Sequence, residues 1–447
     1  MAGDDTALRR AIRAVIDLVL RADRALIDGQ IRAASVAVAR GVVVDVGTRD
    51  ADYASSAEVS VAPGAVLLPG FVDTHVHVSE PGPDWEGFAS ATEAAARAGI
   101  TTLVDMPLDS LPVTTTVAAL SVKRAVAEGR CDVDVGYWGG VVPENVGALR
   151  PLAEAGVRGF KCFLADSGNP HFGHLTPEQF TAAAREVADL ESVLLVHAED
   201  HDVLAESTPA SGRSYASFLA SRPAAAEVGA VELAVAVARD TGARIHIVHV
   251  SSAEAVGVLA AATADGVSVT AETCPHYLTF AADQIPSGGT QFAVCPPIRS
   301  GDDRDALWGA LVDGTLDMVV SDHSPCSPAL KGAGDFGAAF GGISSLQVSP
   351  RAVWTQAAQR GVGLAEVSRW MSERPARLAG WTDRGSIAVG TRADLCAFDP
   401  DSTEPVVAEH LRHRHALTPY DGMVLRGRVL TTWVEGRPVY EAAGVTA

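Results

Sequence analysis

The sequence predicts an α/β protein: a (β/α)8 TIM barrel joined to a small β-sandwich domain that the N- and C-terminal segments build together. Three observations support this. Eight short apolar runs alternate with Ala-rich helical patterns over roughly residues 65 to 380, a span that suits a barrel of about 250 residues or more. The runs show little polar alternation, as strands covered on both faces do, and regular βα alternation implies a parallel sheet. The two flanks carry strand-like pieces with closely spaced turn residues and few helical stretches.

Residues 1–16 read as an N-terminal extension. Residues 17–64 and 385–447 hold "SVAVARGVVVDVG", "ADLCAFD" and "MVLRGRVLTTWVEGRPVY". Neither flank alone has the strands for a stable sheet, since an isolated hairpin is marginal in water. They are expected to pair with each other, so that the barrel, residues 65–384, is an insertion within the small domain. Its strand candidates are "AVLLPGFVDTHVHV", "TTLVDM", "DVDVGYW", "VRGFKCFL", "SVLLVHAE", "RIHIVHVS", "VSVTAET" and "LDMVVSDH". Between them lie "FASATEAAARAG", "TTVAALSVKRAVAEG", "TPEQFTAAAREVADL", "AAEVGAVELAVAVARDTG" and "AEAVGVLAAATADG", several opened by Ser, Thr or Pro and closed by Gly, the usual helix boundary signals.

A chain of 447 residues, 47% hydrophobic, can bury a large core. Its formal net charge of −20 lacks the basic footprint that nucleic acid or an anionic membrane surface needs. A small-molecule substrate is the better expectation. The six cysteines form no CxxC pair or zinc-finger spacing, which suits reduced thiols and a cytoplasmic location. The start, "MAGDDTALRRAIRAVIDLVL", is broken by Arg and Asp where a signal core needs an apolar run, and no segment approaches the ~18 to 20 apolar residues of a membrane span.

In barrel enzymes the catalytic groups sit at the C-terminal ends of strands. His75 and His77 end the first strand here, two residues apart and so on one face. Lys161 lies in the fourth strand, His197 ends the fifth, His249 the sixth and Asp322 the eighth. Each has a bland alternative: a satisfied core histidine, or for Asp322 a helix cap. Lys161 is harder to dismiss, because burying its charge in "GFKCF" is costly unless the charge is paired or lost. Four histidines and one aspartate supply little negative charge for two divalent cations. A neutral lysine amine can add CO2 and become a carbamate, whose two oxygens bridge two metals. Coordination can lower the pKa of water from 15.7 to about 7, which provides a nucleophile at neutral pH. His246, mid-strand, reads as structural, His171, His174 and His201 as loop or surface residues, and His410, His413 and His415 as part of the small β domain.

The segments "PGFVDTHVHVSEPG", "GFKCF", "VLLVHAE", "IHIVHVSS", "AETCPHYL", "CPPIRS", "VSDHSPC" and "GSIAVGTRADLCAFDP" resemble the cyclic amidohydrolases of the amidohydrolase superfamily. That branch holds allantoinases, dihydropyrimidinases (hydantoinases) and dihydroorotases. The resemblance runs over about residues 60 to 445. It implies that His75, His77 and Asp322 bind one metal, that His197 and His249 bind the other, and that N6-carboxylated Lys161 bridges them. Zinc is the expected ion, with Co, Mn or Fe as alternatives. Asp322 is implied as the catalytic proton acceptor and donor.

Within the branch, "PDWEGFASATEAAARAGITTLVDMPLDSLPVTT", "FGGISSLQ" and "HRHALTPYDGMVLRGRVLTTWVEGRPVY" resemble the allantoinase pattern. Dihydroorotases place an Arg two positions after the second His to hold a carboxylate; Ser79 stands there, and allantoin has no carboxylate. The pattern departs at Ser79 and Asp109, usually Asn, and at Phe340, usually Trp. The resemblance therefore implies opening of the hydantoin ring of (S)-allantoin to allantoate, in purine breakdown. Ser79, Asp109, Ser110, Cys295 and Gly341 are the expected substrate contacts, and a homotetramer the expected assembly. The alternatives are a dihydropyrimidinase or hydantoinase, and a non-catalytic scaffold, which usually lacks the metal ligands this chain keeps.

Overall fold

The computed structural model describes residues 16–443; the expected extension lies, apart from Ile16, outside them. Strands from both ends of the chain share one sheet. Its order is Arg437–Glu441, Val424–Val434, Leu395–Pro405, Val66–Pro69, Ile16–Ile27, Gln30–Ala39, Val42–Gly47, with Ser55–Ser60 pairing beside Ile16–Ile27. Three hairpins turn on two residues: Asp28–Gly29, Arg40–Gly41 and Glu435–Gly436. Both residues have positive φ in each, 50° and 75°, 51° and 77°, 51° and 72°, the backbone twist that matches paired strands and that glycine adopts at little cost.

The eight strands form one continuous hydrogen-bonded sheet that curls over a shared apolar interior. A Cβ at Gly436 would lie 3.0 Å from Val38 Cγ1. Leu18, Leu20, Val36, Val38, Leu67, Leu395 and Trp433 fill the inside of the curl. The first barrel candidate divides at Gly70. Val66–Pro69 pairs antiparallel with Leu395–Phe398, whereas Phe71–Val76 pairs in parallel with Ile100–Asp105. The Gly70 N–H donates to Asp394 O and the Phe71 N–H to Gly99 O, and a side chain at Gly70 would collide with Thr101 at 2.3 Å.

The remaining strands are parallel and follow chain order. Phe71–Val76, Ile100–Asp105 and Asp134–Tyr137 form a three-stranded sheet; Gly139–Gly140, Phe160–Phe163, Val193–His197, Arg244–Ile247, Val269–Thr273 and Met318–Val319 form a six-stranded one. Gly139–Gly140 continues the run of Asp134–Tyr137. At the far edges Val76 bridges in parallel to His323, and the His77 N–H donates to His323 O at 2.8 Å. The helices fall where the sequence places them: Phe88–Arg97, Val117–Ala127, Pro177–Asp189, Ala224–Thr241 and Ala253–Ala264. Thr116, Thr176 and Ser252 cap three of them by accepting a backbone N–H, and Gly242 ends the longest at φ 70°. No helix among the described residues is long and apolar enough to cross a membrane, and all six cysteines are free.

Candidate active site

Four residues just beyond the ends of parallel strands leave ordinary backbone geometry. His249 and Asp322, just beyond the sixth and eighth strands, have φ of 44° and 43°; Ser79 and Asp109 have 60° and 67°. Such conformations cost a non-glycine residue of order 1–3 kcal/mol each and persist where the surroundings enforce them. The strand ends surround a cavity of about 1040 Å³ lined by His75, His77, Lys161, His197, His249 and Asp322. A smaller cavity, about 550 Å³, lies in the curl of the terminal sheet; its lining carries none of these residues.

Hydrogen bonds decide which ring nitrogens face the cavity. His75 Nδ1 donates to Glu272 Oε1 at 2.5 Å, His77 Nδ1 to Asp109 Oδ2 at 2.9 Å, and His197 Nε2 to Glu199 Oε2 at 2.7 Å. The opposite nitrogens converge. His75 Nε2 and His77 Nε2 lie 3.2 and 3.7 Å from Asp322 Oδ1, and His197 Nδ1 lies 3.0 Å from His249 Nε2. Burial pushes the His75, His197 and His249 pKa values below the usual imidazole range. Those rings are neutral at pH 7, with lone pairs available. Histidines fixed by a carboxylate behind them are the common arrangement of metal ligands.

The carboxylates are themselves held. Burial raises the Glu272 pKa, but His75 and His246 outweigh it and leave the value at about 2. His246 Nε2 donates to Glu272 Oε2 at 2.9 Å and Nδ1 meets Thr270 Oγ1 at 2.8 Å. It is structural, as the sequence suggests, yet stands only one residue behind a site histidine. Glu199 is buried too, and Arg222 and His197 more than offset the burial, holding its carboxyl well below the ordinary range. Arg222 grips it through Nε and Nη2 at 3.0 and 2.5 Å. Asp73 receives the His75 and Ser321 N–H groups, tying the first strand to the segment carrying Asp322.

Lys161 is 1% exposed. Its Nζ sits 5.0 Å from the Phe163 ring centre and has no ion-pair or hydrogen-bond partner among the described residues. Burial lowers its pKa to about 8, which leaves a neutral amine fraction at pH 7. Ligand atoms of His75, His77 and Asp322 lie within 4.8 Å of one another. Neutral imidazoles, one carboxylate and an unpaired lysine at one cavity suit a pair of divalent cations.

The expected substrate contacts divide. Asp109, Cys295 and Gly341 line the cavity; Ser79 and Ser110 do not. Ser79 is buried with its Oγ unpartnered among the described residues, and Ser110 Oγ turns away to donate to Pro112 O at 3.1 Å. Asp109 is spent partly on His77. Phe340 packs against Trp85, ring centres 4.8 Å apart, over the mouth. His171 and His201, read as loop residues, are exposed and also line that mouth. His413 lies outside the terminal sheet: it is buried 4.7 Å from the His323 ring and accepts the Gln347 N–H.

Sequence reasoning passed over Glu272, Glu199 and Arg222. The signal was available in part, because "VTAET" and "VLLVHAE" each place a carboxylate in or beside an otherwise apolar strand. Replacing Glu272 with glutamine is expected to weaken metal retention about 10- to 100-fold. The carboxylate accepts from His75 and His246 at once, whereas an amide must turn its NH2 toward one of them. Titration against a chelator measures this; unchanged retention would mean that Glu272 does not orient His75.

The Amidohydrolase family profile matches residues 66–439. A Streptomyces avermitilis protein named allantoinase is 48% identical over 425 residues, 95% of each chain. An allantoinase of Saccharomyces cerevisiae is 41% identical over 416 residues, 91% of this chain and 89% of the yeast protein. Among solved structures, the L-hydantoinase (dihydropyrimidinase) of Arthrobacter aurescens has a TM-score of 0.91 at 30% identity, covering 97% of this chain and 98% of its own. The dihydropyrimidinase of Brevibacillus agri has 0.86 at 27%, covering 95% of each.

Proposed function

The chain belongs to the amidohydrolase family, and from that premise we infer how its site works: it hydrolyses a cyclic amide, opening the ring of allantoin to give allantoate. The observation that carries the mechanism is the convergence of the four free imidazole nitrogens and Asp322 beside an unpaired, buried lysine. His75, His77 and Asp322 would hold one divalent ion and His197 and His249 the other, with Lys161, carboxylated by CO2 at Nζ, as a ligand available to both. When bound, such a pair supplies a hydroxide-type nucleophile at neutral pH and polarises the scissile carbonyl. Zinc is the proposed ion.

The chain's own residues do the rest. Asp322 takes one proton of the attacking water and returns it to the ring nitrogen as the C–N bond breaks; the carboxylic acid formed loses the water's second proton to solvent and leaves as a carboxylate. Ser324 Oγ donates to Asp322 Oδ1 at 2.8 Å and steers the carboxylate. Asp109, Cys295 and Gly341 face the substrate, and Trp85 with Phe340 shields the mouth from water. We further propose that the parallel strands form a closed (β/α)8 barrel over residues 65–384, inserted in a small β domain of 17–64 and 385–447 to which Val66–Pro69 contributes a strand. A cytoplasmic homotetramer acting on (S)-allantoin completes the reading.

A dihydropyrimidinase or broad hydantoinase would use the same donor set with a different pocket preference. Turnover of allantoin measured against dihydrouracil and 5-substituted hydantoins separates the two. Higher kcat/KM for allantoin is expected; preference for dihydrouracil would assign the site to the second reading.

A further inference from the structure

Lys331 is buried and has no acidic partner among the described residues. Its Nζ donates to three backbone carbonyls instead: Gly342 O at 2.5 Å, Phe340 O at 2.9 Å and Ala293 O at 3.4 Å. These carbonyls come from two separate stretches of chain. One leads into Val294 and Cys295, and the other contains Phe340 and Gly341; all four residues line the substrate cavity. The Gly342 N–H donates to Ala293 O at 2.9 Å and completes the tie between the stretches.

The orientation of one peptide follows from this. In a trans peptide the C=O and the following N–H point in opposite directions. With Phe340 C=O drawn toward the Lys331 ammonium, the Gly341 N–H points away from it, and that N–H has no backbone acceptor among the described residues. Gly341 borders the cavity, so the unclaimed donor is on the substrate's side. No side chain can intervene, because a Cβ at Gly341 would lie 2.8 Å from Cys295 Sγ.

We propose that Lys331 is a positioning residue for substrate recognition: its ammonium fixes the Phe340–Gly341 peptide so that the Gly341 N–H is presented to a carbonyl oxygen of the cyclic amide. The proposal rests on the cyclic-amide reading above and names a determinant of substrate binding, away from the proposed metal ligands. Burial lowers the Lys331 pKa to about 8. That suits a charge held by carbonyl dipoles alone, and the groups facing it are the neutral thiols of Cys326 and Cys295.

The test is steady-state hydrolysis of allantoin by the metal-loaded protein and by Lys331→Met, with metal content and thermal melting recorded for both. The expected result is a rise in KM of about tenfold or more, the scale of one lost oriented hydrogen bond, with kcat within about threefold and both metals retained. Lys331→Ala provides the second arm, since it leaves a space that ammonium or methylammonium ions can enter; added ammonium is expected to bring KM back toward the wild-type value. Wild-type KM in a folded, metal-loaded Lys331→Met or Lys331→Ala protein overturns the proposal. So does a KM rise that only tracks lost metal, or a Lys331→Ala defect that ammonium leaves unchanged. Failure of the wild-type protein to hydrolyse allantoin would instead count against the functional reading, so the two failures are distinguishable.

Discussion

Replacing Lys161 with alanine is expected to remove bound metal and turnover together, lowering kcat by roughly three orders of magnitude or more. The size follows from the several kcal/mol of charge stabilisation that a bound ion supplies, at 1.36 kcal/mol per tenfold in rate. The structural reason is the isolation of this side chain. Lys161 is buried at the cavity beside Phe163, with a pKa lowered to about 8 by that burial. A lysine placed there only for packing would be an expensive choice, since methionine fills similar space without a charge to desolvate. Two readouts besides rate apply: elemental analysis for metal, and incorporation of isotopically labelled bicarbonate by the wild-type protein but not the variant. Short carboxylic acids are expected to restore part of the rate by standing in for the carbamate. A Lys161→Ala protein that kept two metals and full rate would refute the bridging assignment.

Asp322→Asn is the second large effect. The loss of a positioned proton acceptor and donor is expected to lower kcat by about 10²- to 10⁴-fold. Asparagine preserves the shape and can keep the hydrogen bond from Ser324 Oγ, 2.8 Å away in the parent. Because the proton moves in the transition state, KM for allantoin is expected to change little compared with kcat. The left-handed backbone at Asp322, φ 43°, suits asparagine too, so the fold is expected to survive and thermal melting to stay within a few degrees. A kcat within threefold of the parent would move the proton-transfer role to another group.

The first-strand and strand-end residues were legible because their signals are local. An apolar run that stops at His75–Val76–His77, or at Asp322, marks both a strand and its end. The positions of the hairpin turns were less legible, because Glu435 and Arg40 are unusual residues for positive φ. What the sequence hid is pairing across long separations. Glu272 meets His75 over 197 residues and His323 meets Glu86 over 237. No local pattern announces either contact. The passage at Gly70 was missed because "AVLLPGFVDTHVHV" reads as one continuous apolar run, whereas the two different hydrogen-bond partners of Gly70 and Phe71 divide it, at a place where Thr101 leaves room only for glycine. Ser79 has a left-handed backbone and is buried outside the cavity lining, a placement that sequence position alone does not reveal. The place of His413 was equally hidden, because it lies on the stretch between Leu395–Pro405 and Val424–Val434, which leaves the sheet and brings its ring against His323.

We propose that this cavity hydrolyses allantoin with metals held by His75, His77, Lys161, His197, His249 and Asp322. The most direct measurement is allantoate formation from allantoin by purified, metal-loaded protein beside a chelator-treated sample. Turnover is expected to disappear on chelation and to return when a divalent ion is added back. Turnover indifferent to chelation, or no allantoate from protein that holds two metal ions per chain, would contradict it.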